Sequence, residues 1–267
     1  PGVDGEPNLR LFGSGVERFG MPIRGGGDFN GDGVGELFVD GHRYDGGNLR
    51  GRVQVFMSGP GVQEWPDFTL YGEAPGDHFG WDMAPAGDVN DDGFEDMLIG
   101  SFRRSVIATA AGRVGLYLGG PSPDWNPHFT IEGTSSQQQV GWTLSGAGDV
   151  NGDQFDDFLV NSHDPSTNGG RVQLFLGGDP PDAVPDLDLS LGIPGDFFGH
   201  ALSGAGDLDG DGFDDFLVGA DHMLSLVAPA VVFVTAHVKR IDGIRISSYV
   251  DGLAAQIPAG RLIDRFW

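Results

Sequence analysis

Cysteine is absent from the 267 residues. No disulfide framework and no thiolate metal site can form, and the compartment cannot be read from cysteine usage. Basic residues are scarce: 15 Lys and Arg stand against 39 Asp and Glu, for a formal charge of -24. Binding to phosphate needs a basic face, so neither nucleic acid nor an anionic membrane is an expected partner. Long apolar runs are missing too. The longest, residues 224–236, is too short for a membrane helix and is rich in β-branched residues. There is no signal peptide, no initiating Met and no N-x-S/T sequon, so a mature or trimmed product, or a fragment, is the expected form. The motifs G-x-S-x-G and H-E-x-x-H and a phosphate-cradling loop are lacking. The seven His show no zinc spacing and read as scattered. Nothing points to an enzyme.

What the chain does have is one acidic loop written four times. It reads DFNGDGVGE at 28–36, DVNDDGFED at 88–96, DVNGDQFDD at 149–157 and DLDGDGFDD at 207–215. A recurrence of about 60 residues is the mark of a repeat architecture. Side-chain oxygens fall at loop positions one, three, five and nine, with a backbone carbonyl expected at position seven. Hard oxygen donors at that spacing, with Gly allowing a tight turn, suit Ca²⁺. The candidate ligands are Asp28, Asn30, Asp32, Val34 and Glu36; Asp88, Asn90, Asp92, Phe94 and Asp96; Asp149, Asn151, Asp153, Phe155 and Asp157; Asp207, Asp209, Asp211, Phe213 and Asp215. About four Ca²⁺ ions are expected. Mg²⁺ suits such sites less, because it rarely uses cages made only of protein oxygens. The first residues of the pairs Asp156-Asp157 and Asp214-Asp215 are expected to face solvent.

Around each loop the same strands recur. In the second repeat Phe79-Gly80-Trp81 opens a segment that ends at Ala86-Gly87. After the loop come Met97-Leu98-Ile99-Gly100, then the alternating residues 112–118, then His128-Phe129-Thr130-Ile131-Glu132-Gly133. Four short strands with Gly-rich turns make one blade of a β-propeller, and blades must stack to bury both sheet faces. The 47 Gly and 17 Pro fit this turn chemistry. Phe19-Gly20, Val140-Gly141 and Phe198-Gly199 repeat the opening pair. The Gly-Arg start of the third strand occurs at Gly51-Arg52, Gly112-Arg113 and Gly170-Arg171, with no counterpart in the fourth repeat.

These features resemble the FG-GAP repeat, the blade unit of integrin α-subunit propellers and related bacterial extracellular proteins. The likeness rests on the Phe-Gly pairs, on Gly146-Ala147-Gly148 and Gly204-Ala205-Gly206, and on the acidic loops, over about residues 8–222. It implies an all-β β-propeller fold; the four repeats of this chain make that four FG-GAP-type blades with four Ca-binding loops, and the residues after 222 add a distinct C-terminal hairpin and tail. It also implies loops that bind Ca²⁺ and brace the blades. Two departures stand out. Gln154 replaces Gly at position six of the third loop, and familiar family propellers have seven blades. The third site is expected to be strained and weaker than the fourth, which has four acidic ligands.

Two units are expected: residues 1–222 as propeller repeats, and 223–267 as the divergent end of the last blade and a tail. Residues 8–13 read as a fourth strand without its own blade, free to close the ring or to pair with another molecule. Asp242-Gly243 between two β-rich runs predicts a hairpin. Met21, Trp81, Trp142 and His200 follow the opening Gly and are expected to pack near the axis or between blades. Trp65 and Trp125 are expected to pin loops, with carbohydrate stacking as the sharper alternative. The expected function is a non-enzymatic, extracellular or cell-surface, Ca²⁺-stabilised module for adhesion or self-assembly. Its partner would be itself, in a homo-oligomer or filament, or another extracellular protein. The alternatives are a lectin-like propeller and an accessory propeller of a secreted hydrolase or lyase.

Overall fold

The computed structural model describes residues 9–13, 18–42, 48–59, 63–164, 169–190, 195, 197–208 and 210–220, together with the backbone of 233–238 and 244–249. Among these residues the fold is all-β, with sixteen strands in four antiparallel four-stranded sheets. Each sheet is one blade. Blade 1 holds β1 (Ile23–Gly25), β2 (Leu37–Asp40), β3 (Arg52–Phe56) and β4 (Phe68–Tyr71). Blade 2 holds β5 (Met83–Gly87), β6 (Asp96–Gly100), β7 (Arg113–Tyr117) and β8 (Phe129–Glu132). Blade 3 holds β9 (Leu144–Gly148), β10 (Asp157–Asp164), β11 (Gly169–Phe175) and β12 (Leu187–Leu189). Blade 4 holds β13 (Ala201–Gly206), β14 (Asp215–Gly219), β15 (Phe233–Val238) and β16 (Ile244–Tyr249). The strands follow chain order within every blade.

The expected hairpin after residue 222 is present, and β15 and β16 supply the third and fourth strands of blade 4. That place is therefore filled by the chain's own C-terminal half-blade. Residues 9–13 lie in none of the four sheets, and Phe12 is 75% exposed. Asn8, Asp242-Gly243 and the segment 250–267 lie outside the described residues.

Burial shows why one blade cannot stand alone. The second strand is covered on both faces: all five residues of β6 are buried. The outer strand β4 is half-buried to exposed. The apolar core consists of three clusters, each shared by neighbouring blades. Phe29, Phe38 and Val55 of blade 1 meet Phe79, Met83 and Met97 of blade 2. Leu98 and Leu116 of blade 2 meet Leu144 and Phe158 of blade 3. Leu159 and Val172 of blade 3 meet Phe198 and Phe216 of blade 4. The hydrophobic gain is thus realised at the seams, which is how a repeat fold makes blades cooperative.

The repeated sequence signatures lie on those seams. Phe79, Val140 and Phe198 are buried, while Phe19, which has no described blade before it, is only half-buried. Gly51 and Gly112 bridge to Phe79 and Val140 of the following blade. A Cβ on Gly112 would strike the Val140 backbone, and its φ of 86° also favours glycine. The Phe-Gly pair and the Gly-Arg strand start are therefore two halves of one contact. The x-Ala-Gly signature also has a structural meaning. The pairings shift register between Pro85 and Gly87, between Asp157 and Phe158, and between Gly204 and Gly206. Ala86, Ala147 and Ala205 are the extra residues of these β-bulges, which turn the chain into the acidic loop.

Candidate metal loops and the seams between blades

Each acidic loop joins the innermost strand of a blade to its second strand. It is held by its own amides. In the second loop Asp88 accepts from the amides of Asp92 (3.0 Å) and Gly93 (2.8 Å), and Asp92 Oδ1 accepts from Phe94 N (3.1 Å). The third loop repeats this: Asp149 accepts from Asp153 N (3.0 Å) and Gln154 N (2.8 Å), and Asp153 Oδ1 from Phe155 N (3.1 Å). In the first loop Asp28 Oδ2 accepts from Gly33 N at 2.8 Å, and in the fourth Asp207 Oδ2 accepts from Gly212 N at 2.9 Å. Asn30, Asn90 and Asn151 each accept from the amide two residues on. Asp209 lies outside the described residues.

Position six shows the strain expected at Gln154. Gly33, Gly93 and Gly212 have φ of 86°, 89° and 92°, and Gln154 is held at 81°. A residue with a Cβ is disfavoured in that region by about 1–2 kcal/mol.

The carboxylate at position nine is the deepest. Glu36, Asp96, Asp157 and Asp215 are 2%, 0%, 0% and 1% exposed. Asp96 Oδ2 accepts from Val89 N (2.9 Å) and its Oδ1 from Gly119 N (2.8 Å); Asp157 accepts likewise from Val150 N and Gly177 N. Burial pushes Asp96 up to about 7, against the pull of the Gly119 and Val89 amides and with added repulsion from Asp92 and Asp88. Burial pushes Asp157 up to about 8, with repulsion from Asp153 and Asp149. Glu36 is raised for the same leading reason.

Among the described residues, no three His, Asp or Glu side chains gather into a set that could hold a metal ion. The loops nevertheless fit a cation by their chemistry. Asp28 Oδ1 is buried and has no hydrogen-bond partner. The ion pairs among the described residues lie elsewhere, at Arg24–Asp82, Asp77–Arg104 and Glu132–Arg113, for example, and none involves a carboxylate of the first three loops. Buried carboxylates that repel one another without a basic partner are what a hard divalent cation would relieve.

Position eight overturns an expectation. Asp156 and Asp214 do not simply face solvent. Asp156 Oδ2 accepts from Asp88 N of the preceding blade at 2.9 Å, and Asp156 N donates to Asp88 O at 3.0 Å. Asp214 Oδ2 accepts from Asp149 N at 3.2 Å, and Asp214 N donates to Asp149 O at 3.0 Å. Glu95 N donates to Asp28 O at 3.3 Å. Position eight thus fastens each loop to position one of the loop before it. The repeat itself held the signal, since the pair recurs in register, but only the curvature of the blades brings consecutive loops together.

The residues after the opening Gly form a strip across the blades. Trp81 and Trp142 lie 5.1 Å apart by ring centroids, and Trp142 stacks on His200 at 5.8 Å and 9°. They pack between blades as expected, while Met21 is 61% exposed. Sequence reasoning placed His200 here but missed three further histidines that join the strip: His42 stacks near His78, and His163 lies edge-on to His200. They are scattered in sequence and adjacent in space. Trp125 stacks on Phe29 at 5.2 Å and pins its loop to the neighbouring blade, whereas Trp65 is 75% exposed.

No protein-family model matches the chain. Curated relatives do. Integrin alpha-PS2 of Drosophila melanogaster is 33% identical over 213 residues, covering 73% of this chain and 14% of that protein. Integrin alpha-5 of Xenopus laevis is 28% identical over 190 residues, covering 65% and 17%. Integrin alpha-IIb of Mus musculus is 33% identical over 165 residues, covering 58% and 16%. The chain therefore spans less than a fifth of the length of these relatives. The blades, the Phe-Gly pairs and this shared likeness make the chain a β-propeller of the FG-GAP, integrin α-like type.

Proposed function

We propose that the chain is a non-enzymatic, Ca²⁺-braced propeller module of adhesion type, and that its partner is another extracellular protein. The observation that carries the metal reading is the buried position-nine carboxylate, repeated in all four blades without a basic partner in the first three. An extracellular or cell-surface location goes with the integrin α likeness. In that setting Ca²⁺ is plentiful enough to fill sites of modest affinity.

The side chains at positions one, three, five and nine of each loop, with the carbonyl at seven, would hold the ion. Bound Ca²⁺ supplies positive charge that compensates the clustered carboxylates. The chain's own part is to bury position nine, to aim the other oxygens through the tight turn, and to tie the loop to its neighbour through position eight. Ion binding would in this way stiffen the seams as well as the loops.

Self-assembly through residues 8–13 draws no support from the described residues, since 9–13 sit in no sheet and β16 fills the last place in blade 4. Titration calorimetry tests the metal reading. Several Ca²⁺ ions should bind the wild type. Asp207→Ala should remove a tighter site than Asp149→Ala, because the fourth loop has more charge and a Gly at position six. No heat of binding at millimolar Ca²⁺ would sink the reading.

A further inference from the structure

The third strand of blade 2 departs from its counterparts at two positions. Blade 1 has Gln54 and Phe56 there, opposite Val39 and Leu37, and blade 3 has Gln173 and Phe175, opposite Val160 and Phe158. Blade 2 has Gly115 and Tyr117, opposite Ile99 and Met97. Alternate residues of a strand share a face, so both changes fall on one surface. Without a side chain at 115 the Tyr117 ring leans over that backbone, its Cε2 and Cζ 3.0 and 3.5 Å from where a Cβ would lie. The loop after β7 differs as well: Trp125-Asn126-Pro127 stands where the third repeat has Ala183-Val184-Pro185.

Gly115, Tyr117 and Trp125 line a cleft of about 180 Å³ at the seam of blades 1 and 2, with Tyr71 of β4 as a further aromatic wall. Its charged lining is balanced, Arg104 and Arg113 against Glu73 and Asp77. These charges are turned on one another: Arg104 pairs with Asp77 at 2.7 Å and with Glu73, and Arg113 pairs with Glu73. No net charge is left to attract an ion. Two donors on the walls remain unanswered, since Trp125 Nε1 and Arg104 Nε are buried and have no hydrogen-bond partner. Both can only donate, and a buried indole N–H ordinarily finds an acceptor. Burial pushes Tyr117 up to about 12, so that ring keeps a neutral hydroxyl.

We infer that this cleft is a binding site for a sugar unit of a neutral glycan. A pyranose has an apolar face of C–H groups and a rim of hydroxyls. The face suits the tyrosine rings, and the rim suits the polar lining. Hydroxyl oxygens would accept from Trp125 Nε1 and Arg104 Nε, and hydroxyl protons would go to the Glu73 carboxylate and the Asn126 side chain. An apolar bed with a few placed polar groups is the usual make-up of a small-molecule site, and a volume below the ~300–1,000 Å³ of drug-sized pockets suits one ring. A phosphate or a free carboxylate would need an unpaired cation, which this lining does not supply. The site belongs to blade 2, because Gly115, Tyr117 and Trp125 are not repeated in blades 1 and 3. It does not rest on metal in the loops.

The test uses the whole chain in Ca²⁺ and an array of oligosaccharides of glucose, galactose, mannose and N-acetylglucosamine, with sialylated and sulfated glycans beside them. The wild type should bind at least one neutral glycan, whose affinity is then measured by NMR titration. Gly115→Gln with Tyr117→Phe restores the pair that blades 1 and 3 fold around; it should fill the cleft and weaken binding roughly tenfold or more. Trp125→Phe keeps a ring on Phe29 and removes only the N–H, so it should weaken binding about fivefold, the effect of one neutral hydrogen bond. This second variant decides the matter if the double variant does not fold. Trp65→Ala, at a ring that is 75% exposed and outside the cleft, should change nothing. Absence of any neutral binder would overturn the inference, as would binding confined to sialylated or sulfated glycans. Undiminished affinity in the cleft variants, or loss of binding on Trp65→Ala, would place the glycan elsewhere and overturn it equally.

Discussion

Arg24 of blade 1 donates to Asp82 of blade 2, with Nη2 and Oδ1 2.8 Å apart. The same carboxylate reaches a third blade, because Asp82 Oδ2 accepts from Leu144 N at 2.9 Å. Arg24 Nε also donates to Met83 O at 2.7 Å. Burial raises the Asp82 pKa, opposed by the Leu144 amide and by Arg24. One side chain therefore links three innermost strands, where the blades are closest.

Asp82→Ala is expected to lower stability by about 1–3 kcal/mol, the effect of stranding a buried amide. Asp82→Asn keeps an acceptor for Leu144 N and should lose less. Urea unfolding of both variants checks the order; equal losses would show that the charge, and not the acceptor, is what matters.

Gln154→Gly should stabilise the protein by about 1 kcal/mol, because it relieves a side chain held at φ 81°. Gln154→Ala should change little. If the Gly variant melts no higher than wild type, the strain is compensated elsewhere in the loop.

Asp156→Ala should cost about 1–3 kcal/mol, by removing the acceptor for Asp88 N. The informative readout is local: amide exchange at Asp88 should speed up more than exchange in β7 of the same blade. Uniform acceleration would mean that Asp156 has no special part in the seam.

The pH dependence should invert with metal. Asp96 and Asp157 have folded values of about 7 and 8, above their ordinary 3.8. In chelator the folded state holds these protons more tightly than the unfolded chain. Their contribution is then complete below about pH 4 and is lost as pH rises to 7–8. With Ca²⁺ the ionised carboxylates are required, so stability should rise over the same window. Each site filled at a hundredfold above its Kd adds about 2.7 kcal/mol. Melting curves from pH 4 to 8, with and without Ca²⁺, separate the two slopes. Parallel slopes would count against metal in the loops.

Much of the architecture was legible in the chain itself. Four acidic loops in register, three of them after an x-Ala-Gly segment and all before a short apolar run, determine the blade count and the strand order. The alternation of residues 112–118 and the Asp242-Gly243 turn mark the later strands. These signals survive because they arise from local geometry: bulge, positive φ and period-two patterning act within a few residues. Gln154 was legible as strained for the same reason, since position six demands a left-handed backbone whatever surrounds it.

The seams were not legible, because they join residues about 60 apart. Asp156 looks like a solvated neighbour of a ligand until blade curvature sets it against Asp88 N. His200 was legible, in register with Trp81 and Trp142, but His42, His78 and His163 are joined to that strip only when the blades are set side by side. Leu208 occupies the same loop position as Phe29, Val89 and Val150, and its sequence gives no reason for it to differ. Only the stacking of blades decides that three of these residues are covered and one is exposed, since burial depends on which surface lies opposite and not on the residue alone.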